Sequence, residues 1–150
     1  MIIASSIELS SRFFLHQDGF TLSKWIVSVD SSYSSVILEK RLIHAQEGLV
    51  QLRISGKHLS SSKSEFLKNV FQRELDNQNY KLIIDCLKLD MIFSQHMGIL
   101  LSFCKKFRSN QGDMCFVNVN SSIHAVFERF GLLNYFKIYE DEDAAVENFS

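Results

Sequence analysis

Along residues 49 to 55 apolar and polar residues alternate, with Leu49, Gln51 and Arg53 set against Val50, Leu52 and Ile54. That period of two marks a half-buried strand. Val36 to Ile43 precedes it as a second strand, Glu47-Gly48 reads as the hairpin turn between them, and Gly56 is expected to end the strand. A helical stripe follows at Phe66, Leu67, Val70, Phe71 and Leu75, with Ser60, Ser61, Ser62 and Ser64 as candidate caps. Leu82 to Cys86 is a buried strand, and after a short loop a helix opens at Ser94, with Met97, Leu100, Leu101, Cys104 and Phe107 on one face. Lys105, Lys106 and Arg108 fall in its last turn, where cations complement the helix dipole. Met114 to Val119 is an apolar strand. Ile123, Val126, Phe127 and Phe130 define a third helix capped by Gly131. Tyr135 to Tyr139 is a short strand, and Asp141, Glu142 and Asp143 open a final helix. The order β-β-α-β-α-β-α-β-α predicts an α/β layer structure with a mixed sheet.

Residues 1–35 stand apart as an N-terminal extension to a domain over 36–150. They hold ten serines, yet Phe13, Phe14, Phe20, Trp25, Ile26 and Val27 make them too apolar for a plain disordered tail. Trp25 to Val29 is the candidate for an added strand, packed on the domain or on a partner. The chain of 150 residues is long enough for one domain, burying roughly 68–70% of its unfolded surface. Its net charge of −1 leaves no broad electrostatic footprint for nucleic acid or an anionic membrane. The start, MIIASSIELSS, lacks the basic region of a signal peptide, and no apolar run approaches a membrane span. A cytoplasmic, soluble protein is expected.

Little in the sequence suggests chemistry. The three cysteines, Cys86, Cys104 and Cys115, lie inside apolar runs without Cys-x-x-Cys spacing, as reduced buried thiols do. The five histidines are scattered, so neither a metal site nor a cofactor is expected. Ser94 and His96 are two apart and do not share a helix face, and no acid nearby orients the imidazole, so no catalytic residue is assigned. His96 reads as an exposed residue of the first helical turn. Asp85, at a strand end, is expected to bond backbone groups of the following loop. Ser94 itself is a good N-cap residue, at a strand-to-helix junction of the kind that binds anions.

Five segments carry a family resemblance: Leu52-Arg-Ile-Ser-Gly56, Ile83-Ile-Asp85, the Ser94 loop with Gly98, Gln111-Gly-Asp-Met114, and Phe127-Glu-Arg-Phe-Gly-Leu132. In order and spacing, from about Val36 to Phe149, the chain resembles the STAS domain, especially the stand-alone bacterial anti-sigma factor antagonists. The resemblance implies one mixed β-sheet flanked by about four α-helices. It also implies a non-enzymatic role in partner switching. A serine-kinase anti-sigma factor binds the antagonist, releases its sigma factor, and is expelled once it phosphorylates the junction serine; a PP2C-type phosphatase restores the antagonist.

The junction departs from the family pattern. Where the family reads Asp-Ser-Ser-Gly-Leu-Gly and modifies the second serine, this chain has Phe93, Ser94, Gln95, His96, Met97 and Gly98. Gln95 takes the acceptor position, and Lys57, His58 and Leu59 replace the family's acidic residue after the second strand. Two readings follow: Ser94 is phosphorylated in a shifted register, or the switch is lost and the domain binds its partner constitutively. The expected partner surface comprises Phe93, Ser94, Gln95, His96, Met97, Lys57 and His58, with Met91 and Ile92 adding to an apolar patch; the alternative is that Ile92 and Phe93 fold into the core. The competing assignments are a STAS subunit of a lipid-transport ABC complex and a scaffold that forms a homodimer through residues 1–35.

Overall fold

Strands of alternating or continuous apolar character pair side by side into one mixed sheet, and the helices between them bury their stripes on it. A computed structural model describes residues 10–14, 23–29, 37–59 and 64–149, with side chains described at 38–44, 46–56 and 64–149. The strands are β1 (Ser10–Phe14), β2 (Ser23–Val29), β3 (Ile37–His44), β4 (Leu49–Leu59), β5 (Lys81–Asp85), β6 (Leu89–Ile92), β7 (Asp113–Val117) and β8 (Lys137–Tyr139). The helices are α1 (Ser64–Asp76), α2 (Met97–Ser109), α3 (Ser121–Arg129) and α4 (Glu142–Asn148). The sheet runs β1-β2-β3-β4-β5-β7-β8, with β6 alongside the far end of β4. Strands β1 to β4 pair antiparallel, whereas β4, β5, β7 and β8 are parallel and are joined through helices, as parallel neighbours require. The strand expected near Trp25 is β2. Strand β1 was not expected, and Ser60, Ser61 and Ser62 lie outside the described residues.

Alternate residues of the central strands face two separate apolar layers. Val50, Leu52, Leu82, Ile84, Met114 and Phe116 join the stripes of α1, α2 and α3 in the main core. Leu49, Ile83, Cys115 and Val117 pack under Ala145 of α4 on the other face. Strand β4 is therefore buried on both sides rather than on one: Leu49, Val50, Gln51, Leu52 and Ile54 are all buried. The expected half-buried alternation is corrected by the position of this strand at the sheet centre. Phe116, Phe127 and Phe136 meet with ring centroids 4.9 to 5.3 Å apart, knitting β7 to α3. At the end of α3, Gly131 takes φ +69°, with its N–H bonded to Glu128 O and that of Leu132 to Phe127 O. This is the double hydrogen bond of a Schellman C-cap. Gly112 packs so tightly that an added Cβ would lie 1.9 Å from the Tyr80 carbonyl oxygen, which leaves room for glycine alone. The three thiols are buried, and burial pushes Cys86 up to about 12, Cys104 to about 11 and Cys115 to about 12.

Gly56 does not end β4. The first half of the strand pairs with β5 (Leu49↔Lys81 to Arg53↔Asp85), the second with β6 (Gly56↔Leu89, His58↔Met91, Leu59↔Ile92). The Gly56 N–H donates to Lys88 O at 3.0 Å where the partners change. Asp85 anchors this handover. Its Oδ1 accepts the Leu87 N–H and Asn118 Nδ2, each at 3.0 Å, as expected of a carboxylate turning the next loop. Its Oδ2 accepts Arg53 Nε at 2.8 Å and Gln51 Nε2 at 3.1 Å. Gln51 Oε1 in turn accepts Arg41, which also pairs with Glu142 of α4. The fully buried amide of Gln51 thus relays between a carboxylate and a guanidinium.

Two outcomes test this arrangement. Asp85→Ala strands the Arg53 and Gln51 donors and the Leu87 N–H, and is expected to cost about 3–5 kcal/mol in urea denaturation; a loss under about 1 kcal/mol would show that the network does not hold the sheet. Asp113 tests acid stability. Burial alone would raise its carboxyl, but Lys137 at 2.9 Å and Arg108 at 2.8 Å outweigh that and hold it below 3.8. A carboxylate depressed in the folded state gives stability that is complete above its unfolded pKa and lost as pH falls through the folded value. The unfolding midpoint should therefore decline below the ordinary carboxylate range. Asp113→Asn should start lower at neutral pH and decline less steeply, and parallel acid limbs would acquit Asp113.

Candidate functional site

Beyond Asp85 the chain turns at Cys86, whose carbonyl accepts the Leu89 N–H at 3.1 Å, and runs out along β6. Leu89 and Ile92 are buried while Asp90 and Met91 face outward. Phe93 leaves the strand extended. Ser94–His96 then form a 3₁₀ turn, closed by a 3.0 Å bond from the His96 N–H to Phe93 O, and α2 starts at Met97. Ser94 therefore caps no helix. The position before the 3₁₀ turn is Phe93 and that before α2 is His96, neither with a side-chain cap bond. This corrects the expectation from Ser propensity: the tighter turn puts the serine inside it instead of ahead of the α-helix.

The expected surface residues separate by burial. Phe93 is 37% exposed, and Ser94 and Gln95 are also exposed. His96 and Met97 are buried at 0% and 4%, so neither offers a side chain to a partner. The exposed reading of His96 fails because it lies four residues before Leu100, and Met97 three before it, on the buried face of α2. Ile92 is buried, whereas Met91 is 39% exposed. Lys57 and His58 continue β4 next to β6, with His58 opposite Met91; their side chains lie outside the described residues. An added Cβ at Gly98 would meet nothing within 4 Å, so packing does not require glycine there.

The other wall of this corner comes from α3. The Asn120 side chain caps that helix by accepting the Ile123 N–H at 2.9 Å, and its Nδ2 donates to the carbonyls of Leu89 and Asp90, each at 3.0 Å. One amide thus fixes α3 against β6. Between them runs a groove of about 380 Å³, with Met91, Ile92, Phe93 and Ser94 on the β6 side. Ser122, Ala125, Val126, Arg129 and Phe130 line its α3 side. Phe130 is 48% exposed, so three of the five large exposed apolar side chains among the described residues meet here. The part of α3 in this site was missed from sequence. The signals were Asn120 ahead of a helical stripe and Phe130, an apolar residue at its exposed end.

With an exposed Ser94, a buried His96 and Cys86 pushed up to about 12, the corner presents an apolar slot rather than an assembled nucleophile and base. Among the described residues no cluster of three His, Cys, Asp or Glu could hold a metal ion, and no helix is long and apolar enough to cross a membrane.

The family model for the STAS domain matches residues 40–145. BtrV of Bordetella bronchiseptica, named as an anti-sigma factor antagonist, is 25% identical over 91 residues, 61% of this chain and 78% of that protein. The unphosphorylated anti-sigma factor antagonist SpoIIAA superposes with a TM-score of 0.64 at 16% identity, covering 75% of this chain and 95% of SpoIIAA. An anti-sigma factor antagonist from Mycobacterium paratuberculosis superposes at 0.63 with 18% identity, covering 76% and 92%. The expected fold is thereby established, and the chain belongs to the STAS domain family, within which it resembles the anti-sigma factor antagonists.

Proposed function

We propose that this protein is a non-enzymatic, cytoplasmic regulator of transcription, an anti-sigma factor antagonist whose partner is a serine-kinase anti-sigma factor. The observation that carries this reading is the slot between β6 and α3, where Met91, Phe93 and Phe130 are exposed around Ser94. Large apolar and aromatic side chains gathered on an otherwise polar surface favour protein contact. The slot adjoins the 3₁₀ turn that takes the place of the family's switch loop. Docking there leaves the fold unaltered, because the corner is held from behind by Asp85 and Asn120.

A phosphate-controlled form of this function is favoured by one feature: Ser94 is exposed and caps no helix, so its hydroxyl is open to a kinase. Buried His96 does not obstruct it. A phosphate would add a charge of about −1.5 to −2 to an apolar contact, which desolvation makes costly. The partner would dissociate, and a PP2C-type phosphatase would reverse the step.

Two measurements test the reading. Titration calorimetry against a cognate serine-kinase anti-sigma factor should show that Phe93→Ala weakens binding by about tenfold or more, as truncating a central aromatic anchor does; unchanged affinity would move the interface elsewhere. Incubating that kinase with ATP should add one phosphate by intact mass, and Ser94→Ala should abolish it. Tight binding with no mass gain would identify a constitutive antagonist.

A further inference from the structure

Of the nine side chains that line the slot between β6 and α3, Arg129 is the only charged one. It stands in the last turn of α3, exposed, and among the described residues no carboxylate pairs with it. The remaining lining is apolar except for the hydroxyls of Ser94 and Ser122. An arginine without an acid, in an apolar slot that it shares with an exposed serine, is a receptor for a planar or tetrahedral anion. Neighbouring charged groups do not compete for the slot: Asp90 of β6 and His124 and Glu128 of α3 are exposed but outside its lining. Helix α2 starts only at Met97, so Ser94 lies in the preceding 3₁₀ turn and not at the helix N-terminus.

We infer that Arg129 is the internal receptor for a phosphate carried on Ser94, drawing the modified side chain into the slot so that it occupies the partner's docking place. The inference rests on the phosphate-controlled form of the proposed function. Phosphorylation forms the bond from Ser94 Oγ to the γ-phosphorus of ATP and breaks the bond to the bridging oxygen. The hydroxyl proton leaves to the kinase base, and ADP departs. The product dianion then meets the Arg129 guanidinium across the slot and is neutralised in part, which an apolar lining demands. The slot is closed by a plug from its own wall, and repulsion of the partner becomes secondary.

The test installs phosphoserine at position 94 by suppressor-tRNA incorporation and follows the ³¹P resonance with pH. A guanidinium in contact favours the dianion and lowers the second phosphate pKa. In the Arg129→Gln variant that pKa is expected to rise by about 0.5 or more, with Arg129→Lys intermediate. Lys106→Gln, which removes an equal charge from the separate groove between α1 and α2, is expected to leave it within about 0.1, as screening over distance requires. Coincident titrations of the parent and Arg129→Gln proteins would overturn the assignment, and so would an equal shift from Lys106→Gln. Native amide spectra of each variant, whose substituted side chain is exposed, establish that the comparison is between folded proteins. Because no kinase is used, failure of kinases to modify Ser94 would count against the phosphate-controlled form alone, while these titrations judge Arg129 alone.

Discussion

The position of the corner proposed for docking depends on one carboxylate. Asp85 is almost wholly buried at the point where β4 changes partners, and it accepts from a backbone amide, an asparagine, a glutamine and an arginine. Four donors on one carboxylate satisfy most of its lone-pair sites, which is what makes a buried charge tolerable. Its bond to the Leu87 N–H turns the chain away from β5, and its bond to Asn118 secures the end of β7. Strand β6 can then pair with the overhanging half of β4, so the corner projects beyond the layer of the main sheet.

The corner is rigid for a second reason, which is that α3 is fastened to it. Asn120 satisfies both the helix start and two strand carbonyls with one side chain. A backbone that would otherwise present unpaired groups at its rim is closed, while the apolar side chains stay outward. Polar satisfaction beneath and apolar exposure above is the combination that a reusable docking surface needs. In the proposed docking it would let a partner leave without the fold having to rearrange.

The parallel core was legible because its strands read as unbroken apolar runs and its helices as stripes at 3.6 spacing. The family segments then fixed their order. Strand β6 was not legible, since Leu89 and Ile92 face inward with two outward residues between them, a pattern of neither period two nor 3.6. The length of β4 was missed for the same cause: glycine usually closes a strand, and only the presence of β6 gives Gly56 something to pair with. At the site, Phe93, Ser94 and Gln95 are exposed, and of the two residues whose burial the sequence left open only Ile92 enters the core. His96 was misjudged by polarity, although carrying the α2 stripe back one turn lands on it and Met97. Arg129 and Phe130 lie 35 or more residues from Ser94 in sequence, and only the packing of α3 on β6 brings them to the same slot.

Burial of all three sulfhydryls, near the end of β5, on α2 and within β7, carries a consequence for how this molecule can be observed. With thiols held so far above neutrality, the thiolate needed for alkylation is scarce in the native state. Any reagent consumption therefore times the opening of the two apolar layers, Cys86 and Cys104 reporting on the main core and Cys115 on the layer under α4. The chain carries its own clocks for breathing motions, two in one layer and one in the other, and needs no inserted label to read them.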